Sequence, residues 1–258
     1  MDYSRIVEAV KEAGKIALDE SLTQEISVKG QSDFVTAVDL KINNYLKERL
    51  QNIDSSINFF SEEQEGKLID PCWILDPIDG TTNLIYGFNL SSVSLGLYQD
   101  GQVIFGVVYN PFTDECFTAE KGKGSWLNGQ KQLRVSERPL SEALIEFGAG
   151  STHKELTDIS FGIVKDIFRE CIDVRRICSS ALDLCYIADG RTDGYFEKVL
   201  KPWDIAAGSL ILSEAGGSIS DFKGNAVQFS GPTSVIAGNG KVNKRLEEII
   251  GKFLVCRT

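Results

Sequence analysis

The chain has 258 residues, 42% of them hydrophobic and 25% charged, enough for one large unit or two closely packed halves with ample core. Its 27 basic and 37 acidic residues give a formal charge of -10, which sets the surface against nucleic-acid phosphates. No apolar run reaches the length of a membrane helix, so a membrane partner is not expected.

The opening segment, MDYSRIVEAVKEAGKIALDE, carries acids and has a helical period, unlike a signal or transit peptide, so a cytoplasmic protein is expected. Ile6, Val10, Ala13 and Ala17 predict an amphipathic helix to about residue 20. QEISVKG reads as a strand entering a glycine turn. QSDFVTAVDL leads into a second helix with Val38, Ile42, Tyr45, Leu46 and Leu50 on one face and Asp39 in or near its first turn. SINFFSEEQEG reads as a short strand ending in paired acids.

The run CWIL reads as a buried strand that stops at Asp76. Asp79 follows after Pro77 and Ile78, and Gly80, Thr81 and Thr82 stand where a helix can begin. The turns at Gln99-Asp100-Gly101 and Asn110-Pro111-Phe112 then separate the strands of an antiparallel meander. In the second half, ISFGIVKDIFREC and SALDLCYIADG read as helices and DGYFEKV as a strand. WDIAAGSLILSEAGG reads as a helix opened near Asp204 and closed by Gly216-Gly217. TSVIAGN is a strand and KVNKRLEEIIGKFL a closing helix. The order implies layered α and β, with an N-terminal α+β half of about residues 1–140 and a C-terminal α/β half of about 141–258. It does not imply a doubly wound dinucleotide fold.

Six cysteines, Cys72, Cys116, Cys171, Cys178, Cys185 and Cys256, make no CxxC pair and read as reduced, mostly buried thiols. The single histidine, His153, lies in a polar stretch and reads as a loop or helix-start residue without a chemical role.

Four acidic places remain: Asp39, Glu62-Glu63, Asp76 with Asp79, and Asp204. Asp39 and Asp204 have an ordinary reading as helix caps, Glu62-Glu63 as a solvated turn, and Asp76-Pro-Ile-Asp79 as an Asx-type turn. The central motif resists the ordinary reading. An Asp at the end of a strongly apolar strand needs paired charge, yet Pro71 to Gln99 contains no basic residue. A cation that is not a side chain answers this, and hard oxygen donors favour Mg²⁺ or a similar ion.

WILDPIDGTTN, with DFVTAVD and SEE upstream and WDIAAGSLILSEAGG downstream, resembles the motif set of the inositol monophosphatase family of Mg²⁺-dependent, lithium-sensitive phosphomonoesterases, in order and spacing. The resemblance spans nearly the whole chain and implies an αβαβα sandwich of the sugar-phosphatase type, usually a homodimer. It implies that Glu62, Asp76 and the Ile78 carbonyl hold one metal and that Asp76, Asp79 and Asp204 hold a second. Glu62 would assist a third, with Mn²⁺ an alternative ion. It implies that the Gly80 and Thr81 amides grip phosphate and that Asp39 and Thr81, with Glu62, orient and deprotonate water. Asp79, Ser179, Ser180, Glu197 and Asp204 would contact substrate, with Glu63 behind the ligands and Lys29 near the metal end. Two departures stand out: Cys178-Ser179-Ser180 where the family often has Gly-Ser/Thr-Ala, and Tyr86-Gly87-Phe88-Asn89 where it commonly has His-Gly-x-Pro. They leave the metal and water ligands intact and put the choice of substrate in doubt.

The expected substrate is a small phosphate ester, inositol 1-phosphate first, with fructose 1,6-bisphosphate and 3′-phosphoadenosine 5′-phosphate as alternatives. A bisphosphate needs a second basic pocket, for which Arg175, Arg176, Arg191 and Lys198 are candidates. A different class, a regulator that binds phosphate or a protein without turnover, is the competing expectation.

Overall fold

A computed structural model of the chain describes residues 2–23, 26–30, 33–64, 66–150 and 152–255; Cys256 and the side chain of Lys29 lie outside the described residues. The chain opens with α1 (Ser4–Gly14), a 3₁₀ turn (Lys15–Leu18), α2 (Glu20–Thr23), β1 (Ile26–Gly30), β2 (Asp33–Thr36) and α3 (Ala37–Ile53). Then come β3 (Asn58–Ser61), β4 (Cys72–Asp79), α4 (Thr81–Tyr86), β5 (Ser92–Gln99), β6 (Gln102–Asn110), β7 (Glu115–Glu120), β8 (Ser125–Leu127) and β9 (Lys131–Gln132). The remainder is β10 (Leu144–Phe147), α5 (Thr157–Phe168), β11 (Asp173–Arg175), α6 (Ser180–Ala188), β12 (Gly194–Leu200), α7 (Pro202–Glu214), β13 (Ser218–Ser220), β14 (Thr233–Gly238) and α8 (Gly240–Val255).

β3 to β9 form a seven-stranded sheet in sequence order, parallel only at β3–β4. A five-stranded sheet runs β11-β10-β12-β14-β13. Three apolar cores show how these layers stack. Ile6, Val10, Ile42, Leu46 and Leu50 of α1 and α3 cover one face of the larger sheet through Trp73, Leu75 and Leu95. α6 and α7 pack between the sheets, against Ile74, Val108 and Phe117 on one side and Tyr195 and Val235 on the other. α5 and α8 cover the outer face of the smaller sheet with Ile163, Ile167, Leu246 and Ile250. The result is an αβαβα sandwich. β4 reads as an unbroken apolar run because both its faces are covered: Trp73 and Leu75 point one way and Ile74 the other. Each such fully buried side chain contributes about 1.5–3 kcal/mol.

Three expected boundaries move. The first helix ends at Gly14 and continues as a 3₁₀ turn; Gly14 packs so closely that a Cβ there would lie 2.6 Å from the Tyr109 ring. β4 does not stop at Asp76 but runs to Asp79, with an irregular register against β5 between those two residues. The helix expected near Asp204 opens two residues earlier, at Pro202, whose missing amide donor costs nothing in a first turn. β2, β9, β10, β11 and β13 are not foreseen, because strands of two to four residues leave no periodicity to detect. Among the described residues no helix is long and apolar enough to cross a membrane. The five described cysteines are free; Cys72, Cys116 and Cys185 are buried, and Cys171 and Cys178 half-buried.

Two glycines set the height of α7 over the sheet. Gly96 and Gly106 are register partners on β5 and β6, and together they make a flat place on which Ala206 and Ala207 rest. A Cβ on Gly106 would stand 2.8 Å from the Ala207 carbonyl oxygen and 3.0 Å from its Cα, both backbone atoms that cannot swing away. Gly106→Ala is therefore expected to destabilise the fold by about 1–3 kcal/mol. It should also weaken any activity that depends on Asp204, because the first turn of α7 would be lifted. Chemical denaturation and a rate measurement check both; an unchanged midpoint would show that the helix is not seated this way.

Candidate active site

Asp79 faces a cleft between the two sheets because β4 ends there, and Asp204 reaches the same place from the first turn of α7. The cleft has a volume of about 730 Å³; Glu62, Asp79, Gly80, Thr81, Glu197 and Asp204 are among its walls. Asp39, Asp76 and Ile78 are buried beside those walls rather than lining the cleft.

The structure brings the predicted acids together. Burial raises Asp76 well above the usual carboxylate range, and the neighbouring charges of Glu62, Asp79, Asp204 and Asp39 push it the same way. Asp204 is likewise raised, by burial first and then by Asp79. Burial lifts Asp79 and Asp39 to about 6 each, against hydrogen bonds that pull the other way. Among the described residues none of these four acids is ion-paired with Lys or Arg; the influences on Asp76 are burial and other acids.

Asp39 and Asp204 each cap a helix with one carboxylate oxygen. Asp39 Oδ2 accepts from the Thr36 amide at 2.8 Å and the Thr36 hydroxyl at 2.6 Å, closing a capping box on α3. Its other oxygen lies 3.4 Å from Thr81 Oγ1, whose hydroxyl donates at 3.0 Å to the Ile78 carbonyl. Asp204 Oδ2 accepts from the Lys201 amide at 2.7 Å. In Asp79, Oδ2 accepts from Ser179 Oγ at 2.6 Å and from the Ala181 amide at 2.8 Å, tying β4 to the start of α6. Ser179 is thus buried against Asp79 and is not a wall of the cleft, whereas Ser180 is. Asp76 Oδ1 accepts from the Ile78 amide at 3.0 Å, the Asx-type turn that the sequence allowed.

α4 begins at Thr81, and its first helical bond runs from Leu84 N to Gly80 O at 3.1 Å. The amides before Leu84 are left without helical partners, as at any helix start. Gly80 sits at φ 88, and a Cβ there would lie 3.0 Å from the carbonyl oxygens of Cys178 and Leu90. Only glycine fits such a turn without strain. Cys178 itself has φ 65, a left-handed backbone that glycine adopts without strain.

Of the four candidate basic residues only Arg176 reaches this cleft. Arg191 is engaged by Glu115 and Asp189, and Arg175 by Asp173. Lys198 faces a separate surface hollow. His153 borders the cleft, with Nδ1 2.9 Å from Glu155 Oε1.

Sequence reasoning missed Tyr195 and Asp183, both walls of the cleft. Asp183 left a signal, a lone acid in the otherwise apolar helix SALDLCYIA. Burial and the charge of Glu146 raise it well above its usual range. Glu146 is raised by burial too, and each keeps one buried oxygen without a hydrogen-bond partner.

Hard oxygen donors, buried, mutually repelling and short of cations, are the chemistry of a divalent-cation site. Among the described residues no three acid, thiol or imidazole side chains stand in ready-made ligating geometry. Mg²⁺ requires none, since it is commonly held by one or two carboxylates together with water and substrate phosphate.

The family model described as "Inositol monophosphatase family" matches residues 3–254. The chain is 38% identical over 257 residues to an inositol-1-monophosphatase of Rhizobium meliloti (strain 1021), covering 95% of this chain and 94% of that one. It is 37% identical over 246 residues to the Nus factor SuhB of Escherichia coli (strain K12), covering 93% and 92%. The crystal structure of the extragenic suppressor protein suhB of Bartonella henselae superposes with a TM-score of 0.90 at 35% identity, over 96% of this chain and 98% of that one. A match along almost the full length, in sequence and in fold, makes the chain a member of the inositol monophosphatase family.

Proposed function

We propose that the protein hydrolyses a small polyol or sugar phosphate monoester with the help of Mg²⁺, and that inositol 1-phosphate is its leading substrate. The observation that carries this reading is the group of buried acids Asp39, Asp76, Asp79 and Asp204, all raised by burial, with neighbouring acids raising Asp76 and Asp204 further, and with no basic partner among the described residues. Such a group is stable only protonated or with cations beside it.

In this reading Glu62, Asp76 and the Ile78 carbonyl hold one cation and Asp76, Asp79 and Asp204 a second; Glu62 also serves a third where three bind. When bound, Mg²⁺ or Mn²⁺ neutralises phosphate and leaving-group oxygens and acidifies a water. The protein's own groups do the rest. Asp39, lifted to about 6 by burial, is a base matched to neutral pH, and its free oxygen faces the Thr81 hydroxyl. A water held between those two groups is aimed at phosphate gripped by the Gly80 and Thr81 amides. Capping bonds fix Asp39 and Asp204 at the starts of their helices, so the acids need no reorganisation when substrate arrives.

Phosphate release from inositol 1-phosphate tests this. Release is expected with Mg²⁺, loss with EDTA or excess lithium, and recovery on adding Mg²⁺ back. Turnover that ignores EDTA would sink the cation-dependent mechanism. Fructose 1,6-bisphosphate and 3′-phosphoadenosine 5′-phosphate in the same assay rank the alternatives by kcat/KM.

The 37% identity to a protein named as a Nus factor carries a second reading, recognition of a protein partner without turnover. No release from any substrate, by folded protein that Mg²⁺ still stabilises, would favour it.

A further inference from the structure

β12 alternates its side chains, so Tyr195 points toward the α6–α7 layer while Phe196 points toward the outer helices. Glu197, two residues on, shares the inner face. The Tyr195 hydroxyl donates to Glu197 Oε2 at 2.5 Å and lies 3.0 Å from Ser180 Oγ. Glu197 Oε1 accepts from the Gly150 amide at 3.0 Å. Gly148 completes the seat, because a Cβ there would fall 1.9 Å from Glu197 Oε2.

A phenol has a single proton to give. Burial and the adjacent carboxylate push Tyr195 well above the ordinary phenol range, so the proton stays on its oxygen. Burial raises Glu197 above the ordinary carboxylate range, but both its oxygens receive donors from the protein, which oppose that rise and favour the carboxylate. The Tyr195 proton is therefore committed to Glu197. The 3.0 Å contact with Ser180 must then run from the Ser180 hydroxyl to the Tyr195 oxygen. The hydrogens are ordered in one direction, Ser180 to Tyr195 to Glu197. What remains for the cleft is lone pairs on Ser180 Oγ and on the Glu197 carboxylate, two acceptors gathered around one phenol oxygen.

We propose that Tyr195 is a positioning residue whose one proton fixes Glu197 and turns Ser180 into an acceptor, so that this corner selects a leaving alcohol carrying neighbouring hydroxyl donors. The inference rests on the phosphatase reading and adds to it the residue that holds the expected substrate contacts Ser180 and Glu197 in their accepting state.

The test compares wild type, Tyr195→Phe and Ser180→Ala on inositol 1-phosphate and on p-nitrophenyl phosphate, whose leaving group has no neighbouring hydroxyls. For each variant, kcat/KM is expected to fall about 10-fold further on inositol 1-phosphate than on p-nitrophenyl phosphate, with the difference carried in KM. Ser180→Ala leaves the buried tyrosine in place and supplies the comparison should Tyr195→Phe fold poorly; melting curves establish which variants are folded. Equal losses on the two substrates would reduce Tyr195 to a packing role and overturn the proposal, as would unchanged discrimination in Ser180→Ala. Wild type inactive on both substrates would instead sink the phosphatase reading, and this proposal with it.

Discussion

Asp76→Asn is expected to lower kcat/KM for phosphate monoesters by about 10³-fold or more while raising the melting temperature of the metal-free protein by about 2–4 °C. The two signs have one cause. Asp76 is 2% exposed, and Glu62, Asp79, Asp204 and Asp39 all oppose its negative charge. Asn keeps the shape, and its side-chain oxygen can still accept from the Ile78 amide as Asp76 Oδ1 does at 3.0 Å. Without cations the substitution relieves repulsion among buried acids, worth about 1 kcal/mol or more. With cations it removes a carboxylate that would help hold both of them, and so several kcal/mol of the charge stabilisation they would supply. Steady-state rates and melting curves in EDTA check the pair of signs. A variant that is both active and less stable without metal would show that Asp76 is a structural acid and nothing more.

Mg²⁺ is expected to raise the melting temperature, and to raise it more as pH increases. Asp39 and Asp79, lifted to about 6 by burial, hold their protons in the folded state over a range where the unfolded chain has released them. Because the folded state binds more protons there, the metal-free protein loses stability as pH rises from about 4 through about 6. Asp76 and Asp204, raised well above the usual range, extend that loss to higher pH. Cations compete with these protons, so their stabilisation is small at pH 5 and grows through pH 6 toward pH 8. At 100 times the dissociation constant a ligand of the folded state adds about 2.7 kcal/mol. Melting curves with Mg²⁺ and with EDTA at pH 5, 6.5 and 8 give the three increments. An increment that does not change with pH would place the bound cation away from these acids.

Much of the site was legible because its chemistry is local. Asp76 and Asp79 stand beside a glycine and two hydroxyls within eight residues, and a long stretch without basic residues surrounds them. The ordinary role of Asp39 and Asp204 as helix caps leaves room for the proposed functional one. A carboxylate has two oxygens, and in each residue one caps a helix. Two bands of elements were equally readable, the meander from Ser92 to Leu127 and the long helices, because alternation and helical period persist over many residues there.

Tertiary structure decided the rest. Residue order alone tells which residues are acids, which segments are apolar on one face or both, and where glycine punctuates them. It did not determine that Gly96 and Gly106 pair across two strands to seat α7, since register belongs to the sheet and not to either strand. Nor did it show that Ser179 is spent on Asp79, or that Tyr195 joins Ser180 to Glu197. Those contacts link residues 100 and 15 positions apart in the first two cases, and hydrogen-bond direction follows only once the partners are known. Charge and burial can be read along a chain; which buried group each proton serves is fixed only when the layers close.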